Sequence, residues 1–283
     1  MNVFTKKFIF ALIAFFSPFI SFAQTVDVDG LTFVVDSKNS EAFLKFVGDN
    51  PTGGSYSGDI VIPSSVEYDG QIYSVIGIYP YTFYRCPDLT SVTIPETVTF
   101  IGDYAFMECT SLTSIDFPDA VVYFGAEVLR GCSMLESAIL PAFLKEIPVN
   151  AFYDCSSLQS IDIPDSVESI GNDAFYQCYS LESVKMGASV TSVGTEAFSW
   201  CPNLKSVYTP SLESWCNIQF SNYNSTPLYY GGDLYVNGVL LENLVEFPSF
   251  LPGVGDYSFY GCGSLKSVTI PEGLTSIGFA SFE

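Results

Sequence analysis

Apolar and polar positions along this chain repeat every 23 residues. Cys86, Cys109, Cys132, Cys155, Cys178 and Cys201 mark the period, and Cys262 resumes it 61 residues later. Three residues before each cysteine stands Phe83, Phe106, Phe152, Phe175, Phe198 or Phe259, with Leu129 as the variant. Three residues after it stands Leu89, Leu112, Leu135, Leu158, Leu181, Leu204 or Leu265. Val92, Ile115, Ala138, Ile161, Val184, Val207 and Val268 follow three further on, and a proline usually comes next, as at Pro95, Pro118 and Pro164. A second apolar pair such as Val98/Ile101 or Val167/Ile170 then closes on glycine, as at Gly102 and Gly171. A fixed period of about 20 to 50 residues marks a solenoid, in which each unit buries its apolar face only against its neighbours.

The columns also predict the elements of each unit. Leu-x-x-Val-x-Ile reads as a short strand with one buried and one exposed face. Proline ends that strand because it has no ladder donor. Val-x-x-Ile-Gly returns the chain, with glycine allowing the bend. The stretch from that glycine to the next cysteine, such as Asn172 to Gln177, suits a single helical turn opened by an Asn or Asp cap. Each unit is then one coil of strand, turn and helical turn. Strands of successive coils stack in parallel about 4.8 Å apart, giving a rod of roughly 35 Å for seven units.

Two segments depart from the period. Residues 24–59 do not fit it and read as turns and strands, so they are the expected β cap over the first coil of a solenoid spanning 60–283. Asp27-x-Asp29-Gly30 lacks the remaining ligands of a calcium loop and reads as a β-turn. An excursion at about 211–252 holds Asn237-Gly238 between apolar runs, the signal of a β-hairpin. It is rich in aromatics, including Trp215, Phe220, Tyr223, Tyr230 and Tyr235. Two readings stand open: a recognition patch for carbohydrate or protein led by Trp215 and Tyr230, or a small core that pins the excursion to the rod.

The repeated columns A-F-x-x-C-x-x-L-x-S-V-x-I-P-x-x-V-x-x-I-G resemble the BspA-like leucine-rich repeats of bacterial surface proteins. The resemblance covers about residues 60 to 283 and holds several columns in step over several units. It implies an exported bacterial protein with a role in adhesion to host matrix or other cells. It implies no catalytic or ligand motif.

The N-terminus agrees with export. Lys6 and Lys7 precede an apolar run from Phe8 to Phe22, and Ser21-Phe22-Ala23 offers a small-x-small cleavage site. Residues 1–23 therefore read as a cleaved signal peptide, and no other apolar run is long enough to span a membrane. The chain carries 10 Lys and Arg against 31 Asp and Glu, a net charge of −21, and loses two lysines with the leader. Such an acidic chain disfavours nucleic acid, whose phosphates need basic contacts.

Chemistry is sparse. The chain contains no histidine, which removes Ser-His-Asp and Cys-His nucleophile pairs and histidine zinc sites. No phosphate-binding loop or dinucleotide fingerprint appears, and the closest cysteines, Cys201 and Cys216, are too far apart for a four-cysteine zinc site. No catalytic residue, metal or cofactor is assigned. Carboxylates such as Asp116/Asp119 and Asp162/Asp165 look like turn residues. A carboxylate pair for glycoside hydrolysis is the remaining enzymatic alternative. Cys86, Cys109, Cys132, Cys155, Cys178, Cys201 and Cys262 sit between core columns, so they are expected as a structural ladder of buried thiols rather than disulfides. Cys216 lies outside that ladder.

The exposed face of each strand has one constant and one variable column. The constant one is Ser91, Ser114, Ser137, Ser160, Ser183, Ser206 and Ser267, expected to exchange hydroxyl hydrogen bonds between coils. The variable one includes Asp116, Ile139, Asp162, Lys185 and Tyr208, expected in a row that touches a partner, with neutral variation at exposed positions as the competing reading. The function expected is an exported, non-catalytic binding or adhesion protein for a protein or cell-surface ligand. Carbohydrate binding by the aromatic excursion is the alternative.

Overall fold

Parallel stacking of equivalent short strands builds the molecule. The computed structural model describes residues 24–47, 53–244, 247 and 253–283, so the expected signal peptide lies outside the described residues. At the N-terminal end β1 (Gln24–Val28), β2 (Leu31–Asp36) and β3 (Glu41–Lys45) form an antiparallel meander. Strand β3 then pairs in parallel with Gln71–Ile78, which feeds the stack. The alternating side chains Leu31, Phe33 and Val35 are buried, with Ala42 and Leu44 beside them, so the meander covers the first coil with an apolar face.

From there every coil contributes two strands. One wall of the rod is made by Leu89–Thr93, Ser114–Asp116, Ser137–Ile139, Ser160–Asp162, Ser183–Lys185, Ser206–Thr209 and Asp233–Val236. The second is made by Phe100–Ile101, Tyr123–Phe124, Glu146–Ile147, Ser169–Ile170, Ser192–Val193 and Gln219–Phe220. Residues 23 apart face each other across the regular rungs, as Ser160 faces Ser183 and Ile170 faces Val193.

The third side corrects the expected helical turn. The stretch before each cysteine is a run of turns in which alternate peptides bond to the next coil, while others between them bond three residues back, as Tyr176 N–H does to Asp173 O at 3.1 Å. Asp173 N–H donates to Thr195 O, Phe175 N–H to Ala197 O and Gln177 N–H to Ser199 O, at 2.8–3.0 Å. Alternate N–H groups all aim along the rod because two residues per coil are left-handed, five and one before the cysteine. Asp173 has φ 55° and Gln177 φ 61°, and Gly131 and Gly261 occupy the later position in two coils. An i→i−4 helix would have pointed these donors along its own short axis and left the neighbouring coil unpaired. The short helix Leu212–Cys216 is helical, capped by the Ser211 side chain.

The interior is a set of columns. Phe152 and Phe175 stack with ring centres 5.1 Å apart, and Phe175 and Phe198 at 5.2 Å. All eight cysteines are free, and six of the seven ladder members are fully buried, with Cys262 half-buried. Their thiols are more than small apolar fillers. The Sγ of Cys109, Cys132, Cys155, Cys178 and Cys201 donates to the carbonyl of Phe83, Phe106, Leu129, Phe152 and Phe175 at 3.0–3.2 Å. Each thiol ties its coil to the one before.

The segment expected as an excursion supplies a further coil. Gln219 and Phe220 pair with Ser192 and Val193, and Asp233 to Val236 pair with Ser206 to Thr209. This coil is longer, with 27 residues from Ser206 to Asp233, and Leu228 is buried where the cysteine would stand. The expected hairpin follows, as Asp233–Val236 turns back on Val239–Leu240 through left-handed Asn237 and Gly238.

Candidate binding surface

The outer face of the first wall carries the variable column. Asp116 faces Ile139, Asp162 faces Lys185, and Lys185 faces Tyr208 in consecutive parallel rungs. The two groups join because Gln159 N–H bonds Glu136 O at 3.1 Å. All five side chains expected in the row are exposed and lie in one line. They point outward because the residues that flank them, such as Ile161 and Ile163, turn into the core.

The row is one member longer than the periodicity showed. Tyr235 faces Tyr208 on the next rung, and their rings stack 4.8 Å apart. The 27-residue spacing of that coil hid it; the alternation Leu234-Tyr235-Val236 was the signal available. The hairpin strand Val239–Leu240 then pairs against Asp233–Val236 and ends the sheet on that side. Lys185 and Asp162 approach at 3.5 Å with both side chains mostly in water, so this pair holds neither in place strongly. The face is therefore acidic, apolar, acidic, basic and aromatic along its length, on a backbone that hardly changes.

The other expectations divide. The constant serines line up, but among the described residues Ser114, Ser137, Ser160, Ser183 and Ser206 make no hydroxyl–hydroxyl bond. The parallel rungs point their short side chains outward to solvent instead. Trp215 cannot meet a ligand: it is fully buried, and its indole N–H donates to Ser258 O at 2.9 Å, fastening its coil to the next. Its helix faces the core, so the pinning reading holds at that residue. Tyr230 is half-exposed on the turn edge, where its hydroxyl accepts from Trp200 N–H at 2.9 Å. Cys216 is buried, and burial pushes its thiol up to about 12, which suppresses the reactive thiolate. Asp119 and Asp165 accept backbone N–H groups of Ala142 and Ala188 on the next coil, both at 2.9 Å, which gives these carboxylates a structural task. A shallow concavity of about 420 Å³ beside the row is lined by Glu136, Gln159, Glu182 and Asn203.

These features define a class first: a β-solenoid repeat protein whose parallel walls leave a flat, varied sheet face open to solvent. The model of the BspA type leucine-rich repeat region matches in six copies, over residues 76–226 and 234–283. The chain belongs to that family. It is similar to the crystal structure of a leucine-rich cell surface protein from Faecalibacterium prausnitzii, at 25% identity and TM-score 0.51, over 90% of this chain and 72% of that one. A leucine-rich repeat protein from Eubacterium ventriosum shares the fold at 20% identity and TM-score 0.55, over 86% of this chain and 54% of that one. No curated protein matches the sequence. Among the described residues, no helix is long and apolar enough to cross a membrane.

Proposed function

We propose that this protein is exported and acts as a surface-binding or adhesion protein, docking a protein or cell-surface ligand on its open sheet face. Asp116, Ile139, Asp162, Lys185 and Tyr208 make the contact, extended by Tyr235. The observation that carries this reading is the row itself: side chains of four kinds on successive rungs, between apolar neighbours that repeat. A repeat scaffold with one varied, solvent-facing column displays a recognition surface without changing its core. Export is supported by Lys6, Lys7, the run Phe8 to Phe22 and the Ser21-Phe22-Ala23 site, and by the surface location of the F. prausnitzii relative. The reading invokes no catalysis and no cofactor.

The test is a binding panel of host matrix proteins and neighbouring bacterial cells, repeated with the double variant Asp162→Ala/Tyr208→Ala. Both residues are exposed, and Tyr208 loses only its stack on Tyr235, so stability should fall by about 0.5–1.5 kcal/mol, and circular dichroism and urea midpoints should show a folded chain. Affinity for the bound partner should fall by about tenfold or more, the loss of one modest hot spot. Unchanged affinity removes the sheet face from the proposal. N-terminal sequencing of the exported protein should begin at Gln24.

A further inference from the structure

A second surface runs along the turn edge of the rod. At two places there an arginine lies on a tyrosine ring while a glutamate grips it. The Arg85 guanidinium is 5.0 Å from the Tyr84 ring centre, and its Nε donates to Glu108 at 2.8 Å. The Arg130 guanidinium is 4.8 Å from the Tyr153 ring centre, and its Nη1 donates to Glu127 at 2.7 Å. Tyr153 stacks in turn on Tyr176, with ring centres 4.9 Å apart. The next residue in that column is Ser199, which brings no ring to continue the stack, and Tyr176 stays half-exposed. Trp200 stands beside it, 54% exposed, with its backbone N–H on the Tyr230 hydroxyl. Asp173 and Glu196 occupy on these coils the place that Glu127 occupies on its own, five residues before the cysteine. Among the described residues neither makes an ion pair with a lysine or arginine.

We propose that the aromatic edge formed by Tyr176, Trp200 and Tyr230 binds an arginine-rich segment of a partner protein, its guanidinium groups lying on these rings as Arg130 lies on Tyr153. The protein contains the recognition pattern twice, each time completed by its own arginine; at this step the rings and the carboxylates are present and the cation comes from outside. Charge favours a basic occupant, since the chain carries −21. Asp173 is also held above its usual range by burial and by the neighbouring Glu196, a repulsion that a cation between them relieves. Arginine suits the site better than lysine, because its plane stacks on a ring while its forked donors meet a carboxylate. A neutral glycan would use the rings without needing Asp173 or Glu196.

The experiment is fluorescence anisotropy of the purified chain with four probes: a labelled peptide of alternating Arg and Gly, its Lys and Gln counterparts, and labelled cellohexaose. The arginine peptide should bind, the lysine peptide more weakly, and the glutamine peptide and the sugar not at all. Trp200→Ala and the pair Asp173→Asn/Glu196→Gln should each weaken arginine-peptide binding by about fivefold or more, the size of one cation–π contact. Trp200→Phe, which keeps a ring, should retain most of it. Glu67→Gln/Glu96→Gln removes equal charge at exposed positions on coils outside both surfaces and should cost less than about twofold, within long-range screening. Equal binding of both basic peptides, equal loss from the two carboxylate pairs, no arginine-peptide binding, or cellohexaose binding lost in Trp200→Ala would each overturn the proposal.

Discussion

Replacing Cys155 by alanine and by serine separates the two tasks of a buried thiol. Its side chain is fully buried, and Sγ donates to Leu129 O at 3.2 Å. Alanine deletes one buried heavy atom, comparable to a methylene, at about 0.5–1.5 kcal/mol for transfer and cavity together. It also removes a hydrogen bond from a weak donor, at the low end of about 0.5–1.5 kcal/mol. Leu129 O keeps its bond from Cys132 N–H at 3.1 Å, so no acceptor is orphaned. The sum is about 1–2 kcal/mol. Serine retains a donor, but its shorter C–O bond draws the hydroxyl away from Leu129 O, which already lies beyond a good O–H···O distance. A poorly bonded buried hydroxyl costs about 1–3 kcal/mol, so serine should be at least as harmful as alanine despite looking closer to cysteine. Urea unfolding checks both through the shift of the midpoint at unchanged slope. An alanine cost below about 0.5 kcal/mol, or a serine variant as stable as the parent, would refute the thiol as an inter-coil tie.

Two further predictions follow from the same columns. Burial raises the thiols of Cys109, Cys155 and Cys178, and that of Cys216 to about 12. A raised acid pKa leaves stability intact below the unfolded value and erodes it above, because the unfolded chain ionises first. Stability should therefore hold to about pH 8.5 and then fall towards pH 12, each thiol removing up to about 1.4 kcal/mol per pH unit; urea midpoints flat from pH 8 to 11 would contradict it. Gln177 holds φ 61° where two other coils have glycine. Gln177→Gly should be neutral or stabilising by up to about 1 kcal/mol, since relief of left-handed strain is partly offset by chain entropy. Gln177→Val should cost about 1–3 kcal/mol, and equal midpoints for the two variants would count against a strained left-handed turn.

What the sequence revealed was whatever had a fixed address in every coil. Phe175, Cys178, Leu181 and Val184 meet Phe198, Cys201, Leu204 and Val207 because equal spacing places equal side chains on adjacent rungs. That is why the walls, the core columns and the exposed row could be read by counting. Three features escaped counting, each for a physical reason. The turn edge looked helical because Asn172 and Asp173 are good cap residues; the left-handed backbone at Asp173 and Gln177 belongs to no residue type, and only Gly131 and Gly261 hinted at it. The coil from 211 to 236 lost its address when its length grew by four residues and its cysteine and phenylalanine columns became Leu228 and Ser225. Trp215 keeps that coil docked by filling the core and bonding Ser258 O, a contact that no local pattern announces. The cation-binding pattern on the turn edge was invisible for a related reason: Arg130 and Tyr153 lie 23 residues apart and become neighbours only once the coils are stacked. In a solenoid the core is written along the chain, whereas a recognition surface is written across it, from residues one period apart. Candidate partners of this protein are therefore best sought by comparing columns, with Tyr235 added to the sheet row and Trp200 to the turn edge.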